Sequence, residues 1–394
     1  MNGDDAGLAL EAWRDLCRRL ERMGERCFAD DFPGSGTERV AAIEHLAGQM
    51  LCWTEWSVFH ADARRPRFQR QNDLITPWGG PNADNVYRHA RVDASRRYVI
   101  RGHMHSCEDF MLAVRMGFMH EPRWGTAFEV SARDLGIGRD DEFELVVGGA
   151  DPGGTWVPLP EGAAMVSFRE YYFDWSAAEP ATITIECLDA DVDAPAARLA
   201  GVDLAARLAD AASGVEHSVE HWNRYLHDHR AENADNEFAA PMKVAKGLAA
   251  ARYAFCFFDL ADDEVLLVES DVPSARYWSF MLYDLGTYEL VDPLERPTSL
   301  NQAQADIDAD GRVRVVLAPE DPGTANWLDT GGRRRGQLTF RWFWSDGDPE
   351  PSARVLGRDA LRDALPAEHA RVDPVARRVE QQARRDHLAW RFRT

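Results

Sequence analysis

Two arginines in matching surroundings are the residues of this chain best placed to do chemistry. Phe168-Arg169-Glu170-Tyr171-Tyr172-Phe173-Asp174 recurs as Phe340-Arg341-Trp342-Phe343-Trp344-Ser345-Asp346. Side chains alternate faces along a strand, so Arg169 shares a face with Ser167 and Tyr171, and Arg341 with Thr339 and Phe343. A guanidinium on such a polar and aromatic face needs an anion or a carbonyl as partner. An internal carboxylate such as Asp151 or Asp174 would make each Arg part of the scaffold. The carboxylate, sulfate or phosphate of a ligand would make it a binding group. Duplicated positions tend to be scaffold, which places the structural role first.

Asp84, Asp321 and Asp329 are the carboxylates available for acid–base work beside those arginines. Asn82, Asn85 and Tyr87 follow the loop Pro77-Trp78-Gly79-Gly80-Pro81, and Tyr277, Asn301, Asn326 and Trp327 form a comparable set in the second half. Asn and Asp beside Trp can hold a hydroxylated or flat apolar ligand. The competing use of Asx and Pro is turn formation.

His103-x-His105, with Glu108, Asp109 and His120 near in sequence, is the arrangement that could take a divalent metal. The remainder of a cupin-type pattern is missing, and surface or hydrogen-bonded histidines are the competing reading. His217-Ser218-Val219-Glu220-His221 reads as H-x-x-E-H, but its helix is polar and no third ligand follows. Asp306-Ile307-Asp308-Ala309-Asp310-Gly311 begins like a calcium loop and lacks the later Glu, so a hairpin turn explains it more simply. There is no G-x-S-x-G, P-loop or dinucleotide fingerprint. No cofactor follows from a motif.

The elements that must position these residues are themselves duplicated. Asp151-Pro152-Gly153 aligns with Asp321-Pro322-Gly323. Reading outward, Asp140 meets Asp310, Phe143 meets Val313, Trp156 meets Trp327 and Phe168-Arg169 meets Phe340-Arg341. Arg97-Tyr98 is set against Arg276-Tyr277. A repeat of this length defines one supersecondary unit used twice. Helical periodicity runs over 8–28 and 37–62, returns over 195–232, and closes the chain over 357–392. Strands are expected at Arg97–Arg101, Phe143–Val147, Thr182–Glu186, Val265–Val268, Tyr277–Phe280 and Val313–Val316. Strands grouped in runs argue for antiparallel sheets.

The expected division is a helical segment 1–70, a first sandwich 71–190, a helical insert 191–240, a second sandwich 241–350 and a helical end 351–394. A length of 394 residues implies two domains or one large composite, and 45% hydrophobic residues are ample for a packed core. A net charge of −21 leaves no basic face for nucleic acid or for an anionic membrane surface. No apolar run reaches the length of a membrane span. Six scattered cysteines and an acidic start suggest the cytoplasm.

Pro81-Asn82-Ala83-Asp84-Asn85-Val86-Tyr87, Ser299-Leu300-Asn301 and Asp321-Pro322-Gly323-Thr324-Ala325-Asn326-Trp327-Leu328-Asp329-Thr330-Gly331-Gly332 resemble the bacterial domain-of-unknown-function family numbered 1214, often found with a sister domain numbered 1254. The resemblance is strongest over 265–342. It implies a jelly-roll-like β-sandwich with helical additions, and it carries over no catalytic residue. The expected fold is therefore mainly β with helical additions: two related antiparallel jelly-roll-like units, an N-terminal helical hairpin, a helical insert and a C-terminal helix. The expected function is an enzyme acting on a small anionic or carbonyl-bearing, partly apolar molecule in a pseudo-twofold cleft. The alternatives are a non-catalytic binder of a small or lipid-like ligand, a metal-dependent enzyme using His103 and His105, and a homo-oligomer burying Trp-rich surfaces.

Overall fold

Alternating apolar and polar residues give the chain seventeen strands in four sheets among its described residues. The computed structural model describes residues 3–30, 32, 36–176, 179–190 and 199–392. Two compact units emerge, one from residues 1–79, 85–171 and 179–223, the other from 80–84, 172–178 and 224–394.

The first unit holds the helices α1 (Gly3–Arg26), α2 (Gly36–Thr54) and α3 (Gly201–Ala231, counted here to Asn223), with a π-helical turn extending α2 over Glu55–Phe59. Its strands are β1 (Gln69–Gln71), β2 (Asn85–Arg91), β3 (Tyr98–His103), β4 (Asp109–Gly117), β5 (Gly125–Ser131), β6 (Glu142–Val147), β7 (Trp156–Val157), β8 (Met165–Tyr171) and β9 (Thr182–Cys187). They form sheet I, ordered β1-β2-β8-β4-β5, and sheet II, ordered β7-β6-β3-β9. Phe110 of sheet I lies 5.3 Å from Phe143 of sheet II and 4.9 Å from Phe168, so these rings face the sandwich interior. The other face of sheet I is roofed by helix: Gln69 donates to the Cys52 carbonyl at 2.9 Å. On α1, Arg19 and Arg26 bind Glu216 and Glu220 of α3 at 2.9 and 2.8 Å, beside a small core of Leu16, Leu208 and Ala212.

The second unit repeats the plan with β10 (Ala251–Asp259), β11 (Glu264–Asp271), β12 (Ala275–Tyr283), β13 (Ser299–Asn301), β14 (Arg312–Ala318), β15 (Trp327–Asp329), β16 (Arg335–Ser345) and β17 (Ser352–Gly357), followed by α4 (Leu361–Ala364) and α5 (Pro374–Phe392). Sheet III is ordered β10-β16-β12-β13 and sheet IV β15-β14-β11-β17. Leu338, Phe340 and Trp342 of β16 point between the sheets, where they meet Trp278, Phe280, Val313, Val315 and Leu328. Phe280 and Phe340 stack with centroids 4.1 Å apart. Each such ring removes enough apolar surface to contribute about 1.5–3 kcal/mol.

The duplication holds strand for strand. β2-β8-β4-β5 corresponds to β10-β16-β12-β13, and β7-β6-β3-β9 to β15-β14-β11-β17. Each copy contains one parallel pair, β6 with β7 and β14 with β15. Both Asp-Pro-Gly turns close the same way, with Asp151 and Asp321 each accepting from the Gly two residues on at 2.8 Å. Eight strands crossing between two sheets in each copy give the mainly β, jelly-roll-like architecture with helical additions that the sequence implies.

Two expectations need correction. Tyr98 and Tyr277 are not equivalent: Tyr98 opens β3, a middle strand of sheet II, whereas Tyr277 lies on β12 in sheet III, whose counterpart is β4. A short Arg-Tyr match carries no register by itself. The helical end over 357–392 is broken between Ala364 and Pro374. Pro366 bars helix at the residue before it, and Pro374 starts a new helix that Asp373 caps by accepting from Val375 and Ala376 at 2.7 and 3.1 Å. The Asp306–Gly311 segment is the hairpin turn expected, with Gly311 at a φ of 80° and Ile307 bridged to Val313; its Asp308 and Asp310 each meet Arg314 at 2.6 Å, and Asp308 also meets His369 at 2.9 Å. Residues 195–198, read as helix, lie outside the described residues.

Candidate functional site

Asp84 ends the segment Gly80–Asp84 of the second unit, and its carboxylate is fully buried on the face of sheet III opposite the sandwich core. Asn82 sets the turn by accepting from the Asp84 backbone N–H at 2.8 Å. Oδ2 of Asp84 accepts from the Tyr277 hydroxyl at 2.6 Å. Oδ1 accepts from Asn301 Nδ2 at 2.7 Å and from Trp175 Nε1 at 2.9 Å. The Tyr277 oxygen also lies 2.7 Å from Ser279 Oγ and 3.0 Å from Asn82 Oδ1. Burial raises the Asp84 pKa; the hydrogen bond from Tyr277, the Arg391 charge and the Asn301 amide oppose it. Burial, and then the Asp84 charge, push the Tyr277 phenol well above its ordinary range.

Helix α5 supplies two arginines and a histidine. Arg384, His387 and Arg391 recur at helical spacing and are all buried. The Trp175 ring stacks on His387 at 4.9 Å and 7°, with the Arg384 and Arg391 guanidiniums 4.7 and 5.0 Å from its centroid. Arg384 donates to Pro293 O at 2.8 Å and to Ser299 Oγ at 2.7 Å. Burial brings its pKa down to about 10 despite Asp84. Arg391 donates to the Ala83 carbonyl.

Beside this network lies a cavity of about 330 Å³ between α5 and the β13 and β15 strands. Trp175, Trp327, Leu300, Pro297 and Val372 form much of its apolar wall, with Gln304 and Gln381 among its polar lining. Two lining arginines are already engaged. Arg384 is held as above, and Arg377 binds Asp321 at 3.0 Å, Glu380 at 2.7 Å and the Thr324 carbonyl at 2.5 Å. Asn326, at a φ of 53°, spends its side chain on Asp306 and on the Arg314 carbonyl, which fixes the chain entering Trp327.

The structure thus gathers Asn82, Asp84, Tyr277 and Asn301 into one network, and Asn326 and Trp327 onto one cavity wall. Asp321 serves Arg377. Asp329 accepts from Arg296 at 2.8 Å and from the Gly331 N–H at 2.7 Å. Arg341 donates to the Tyr283 hydroxyl and to Gly80 O, with the Tyr253 and Tyr283 rings each 5.7 Å away.

In the first unit, Asn85 donates to Glu170 O at 2.7 Å, and the Tyr87 ring lies 5.6 Å from the Arg169 guanidinium. His103 and His105 have ring centroids 3.8 Å apart, and His103 Nδ1 accepts from the His105 N–H at 3.2 Å. His120 sits instead in a cage of Trp53, Trp78 and Phe118. Burial holds its pKa well below the usual imidazole value. Among the described residues no three His, Cys, Asp or Glu side chains gather as a metal site needs, so His103, His105 and His120 do not form one. Sequence reasoning passed over Trp175 and the α5 trio. Their only signal was Arg384, His387 and Arg391 spaced along one helical face.

Fold and site define a class: a duplicated two-sheet β protein with helical additions and a Trp-walled cavity. Residues 259–347 match the profile of the family described as Protein of unknown function (DUF1214), in agreement with the resemblance read from the sequence. The chain is similar to a crystal structure of an uncharacterized protein from Burkholderia cenocepacia, at 27% identity and a TM-score of 0.83, over 90% of this chain and 100% of that one. It is also similar to the VPA0106 protein from Vibrio parahaemolyticus, at 13% identity and a TM-score of 0.47, over 79% of this chain and 98% of that one. No curated protein matches. No helix among the described residues is long and apolar enough to cross a membrane.

Proposed function

We propose that the chain binds a small, flat, largely apolar molecule in the cavity beneath α5, and that it does so as a binding protein. The observation that carries this reading is the 330 Å³ space between Trp175 and Trp327. Cavities of roughly 300–1,000 Å³ lined by aromatic side chains with a few polar groups are the usual form of small-molecule sites. Arg377 and Arg384 are engaged by carboxylate and carbonyl oxygens, so the ligand need carry no strong charge. Gln304 and Gln381 can each hydrogen-bond one polar group on it.

Catalysis is the weaker reading, because Asp84, Asp321 and Asp329 are each engaged by donors of the scaffold. The test is fluorescence titration of the full chain with 1-aminoanthracene, read as quenching of Trp emission. Saturable quenching, lost in Ala383→Trp, supports the reading, since Ala383 lines the cavity from an exposed helical position that accepts a larger side chain. No saturable quenching, or quenching that Ala383→Trp leaves intact, removes it.

A further inference from the structure

The duplication sets each arginine of the repeat in a comparable frame, and only one of them has an acceptor. Arg341 pairs across β16 with Tyr253 on β10 and Ser279 on β12; Arg169 pairs across β8 with Tyr87 on β2 and Met111 on β4. Both guanidiniums lie near the tyrosine of the preceding strand, at 5.7 and 5.6 Å. Four residues further along β12, the Tyr283 hydroxyl accepts from Arg341, as does the Gly80 carbonyl. The position equivalent to Tyr283 is Arg115, which pairs with Met165 as Tyr283 pairs with Gln337. A cation therefore stands where the second copy keeps an acceptor. Arg169 makes no hydrogen bond or ion pair among the described residues, and its Nε is buried.

His89 occupies the same face of sheet I, opposite Ser167, where the second copy has Phe255 opposite Thr339. It is 2% exposed, and neither ring nitrogen has a hydrogen-bond partner among the described residues. The Phe118 ring lies edge-on to it with centroids 5.3 Å apart. Burial, and then the charges of Arg115 and Arg169, keep its imidazole neutral with one N–H to donate. The floor between His89, Arg169 and Arg115 is made of Ser167 and Ala113, which are small. Glu129 shares the face but lies on the edge strand β5, beyond β8 and β4 from His89. An unpaired buried polar group costs about 1–3 kcal/mol, so a pair of them on one face calls for a partner.

We propose that this face of sheet I binds a small oxyanion, a carboxylate or a phosphate, with Arg169 as its charge partner and His89 as a second donor. The planar fork of Arg169 suits two oxygens at once. The site rests on residues other than those of the α5 cavity.

The test is calorimetric titration of the full chain at low ionic strength, with sodium phosphate and sodium benzoate in separate experiments. Saturable one-to-one binding is expected from at least one. Binding of phosphate alone identifies a phosphate site, and binding of benzoate alone a site for carboxylated molecules. Arg169→Gln and His89→Phe each weaken it about tenfold or more, the scale of one charge-assisted hydrogen bond. Arg101→Gln, which removes an exposed Arg paired with Glu144 and Glu186, leaves it unchanged. Circular dichroism checks folding; should Arg169→Gln not fold, Arg169→Lys and His89→Phe carry the test, the latter placing the second copy's own residue at that position. The proposal is overturned if neither anion binds saturably, or if binding survives unchanged in the Arg169 and His89 variants.

Discussion

The Tyr277 hydroxyl donates to the Asp84 carboxylate at 2.6 Å with both groups shut away from water. Tyr277 is set on the rigid strand β12, and Asp84 on the irregular segment Gly80–Asp84. The hydrogen bond ties that segment to the sheet, and the same carboxylate holds Trp175 at the cavity wall.

Asp84→Asn should fold and Asp84→Ala should not do so as well. The amide oxygen can still accept from Trp175 and Asn301, while Tyr277 turns its proton to Asn82 Oδ1, 3.0 Å away. Alanine removes the acceptor that three donors share, leaves Trp175 and Asn301 with only their 3.1 Å bonds to the Tyr172 and Phe173 carbonyls, and should cost about 2–4 kcal/mol. Urea denaturation of both variants checks this, and equal losses would refute it.

The two arginines of the repeat should differ on removal. Arg341→Ala strips the Tyr283 hydroxyl and the Gly80 carbonyl of a donor and empties a buried aromatic slot, at about 2–4 kcal/mol. Arg169→Ala breaks no hydrogen bond and should cost under about 1 kcal/mol. Thermal melts of the pair decide it; similar destabilisation by both would mean that Arg169 is scaffold.

Acid should unfold the protein through its neutral histidines. Burial, with Arg391 nearby, brings the His387 pKa from 6.5 to about 3. His89 and His120 are shifted down as well. A histidine with a lowered folded pKa binds fewer protons folded than unfolded, so stability is full above about pH 6.5 and declines as pH falls toward 3, by up to about 1.4 kcal/mol per unit for each group. Asp84 has the opposite sign: its raised folded pKa means that stability declines as pH rises from its unfolded value through its folded one. His387→Phe, which keeps the stack on Trp175, should flatten the acid limb, and an unchanged slope between pH 6 and 4 would count against this account.

Calcium should leave the melting temperature unchanged. The Asp306–Gly311 loop gives its Asp308 and Asp310 carboxylates to Arg314, and Asp308 also to His369. Asp308→Ala should destabilise by about 3 kcal/mol, since it leaves the buried Arg314 and His369 without that partner. A calcium-dependent rise in melting temperature would contradict the ion-pair assignment.

The repeat was legible because alternation and turn chemistry are local. Asp-Pro-Gly with a positive-φ Gly makes the same turn in both copies whatever surrounds it, and the Phe-Arg strands show their core face by period two. Asn82, Asp84, Tyr277 and Asn301 could be named from residue type, though not as members of one network. Their sequence separations of up to 217 residues hide the contact.

The sequence by itself determined the duplicated unit around the two Asp-Pro-Gly turns and the polar residues on the non-core faces of its Phe-Arg strands. Tertiary structure alone decided which of those residues are satisfied. Arg341 and Arg169 sit in matching sequence, yet one meets Tyr283 and the other has Arg115 at the equivalent position. Period and turn type depend on neighbours in the chain, whereas the cost or gain of a buried charge depends on whatever group the fold sets within about 4 Å of it.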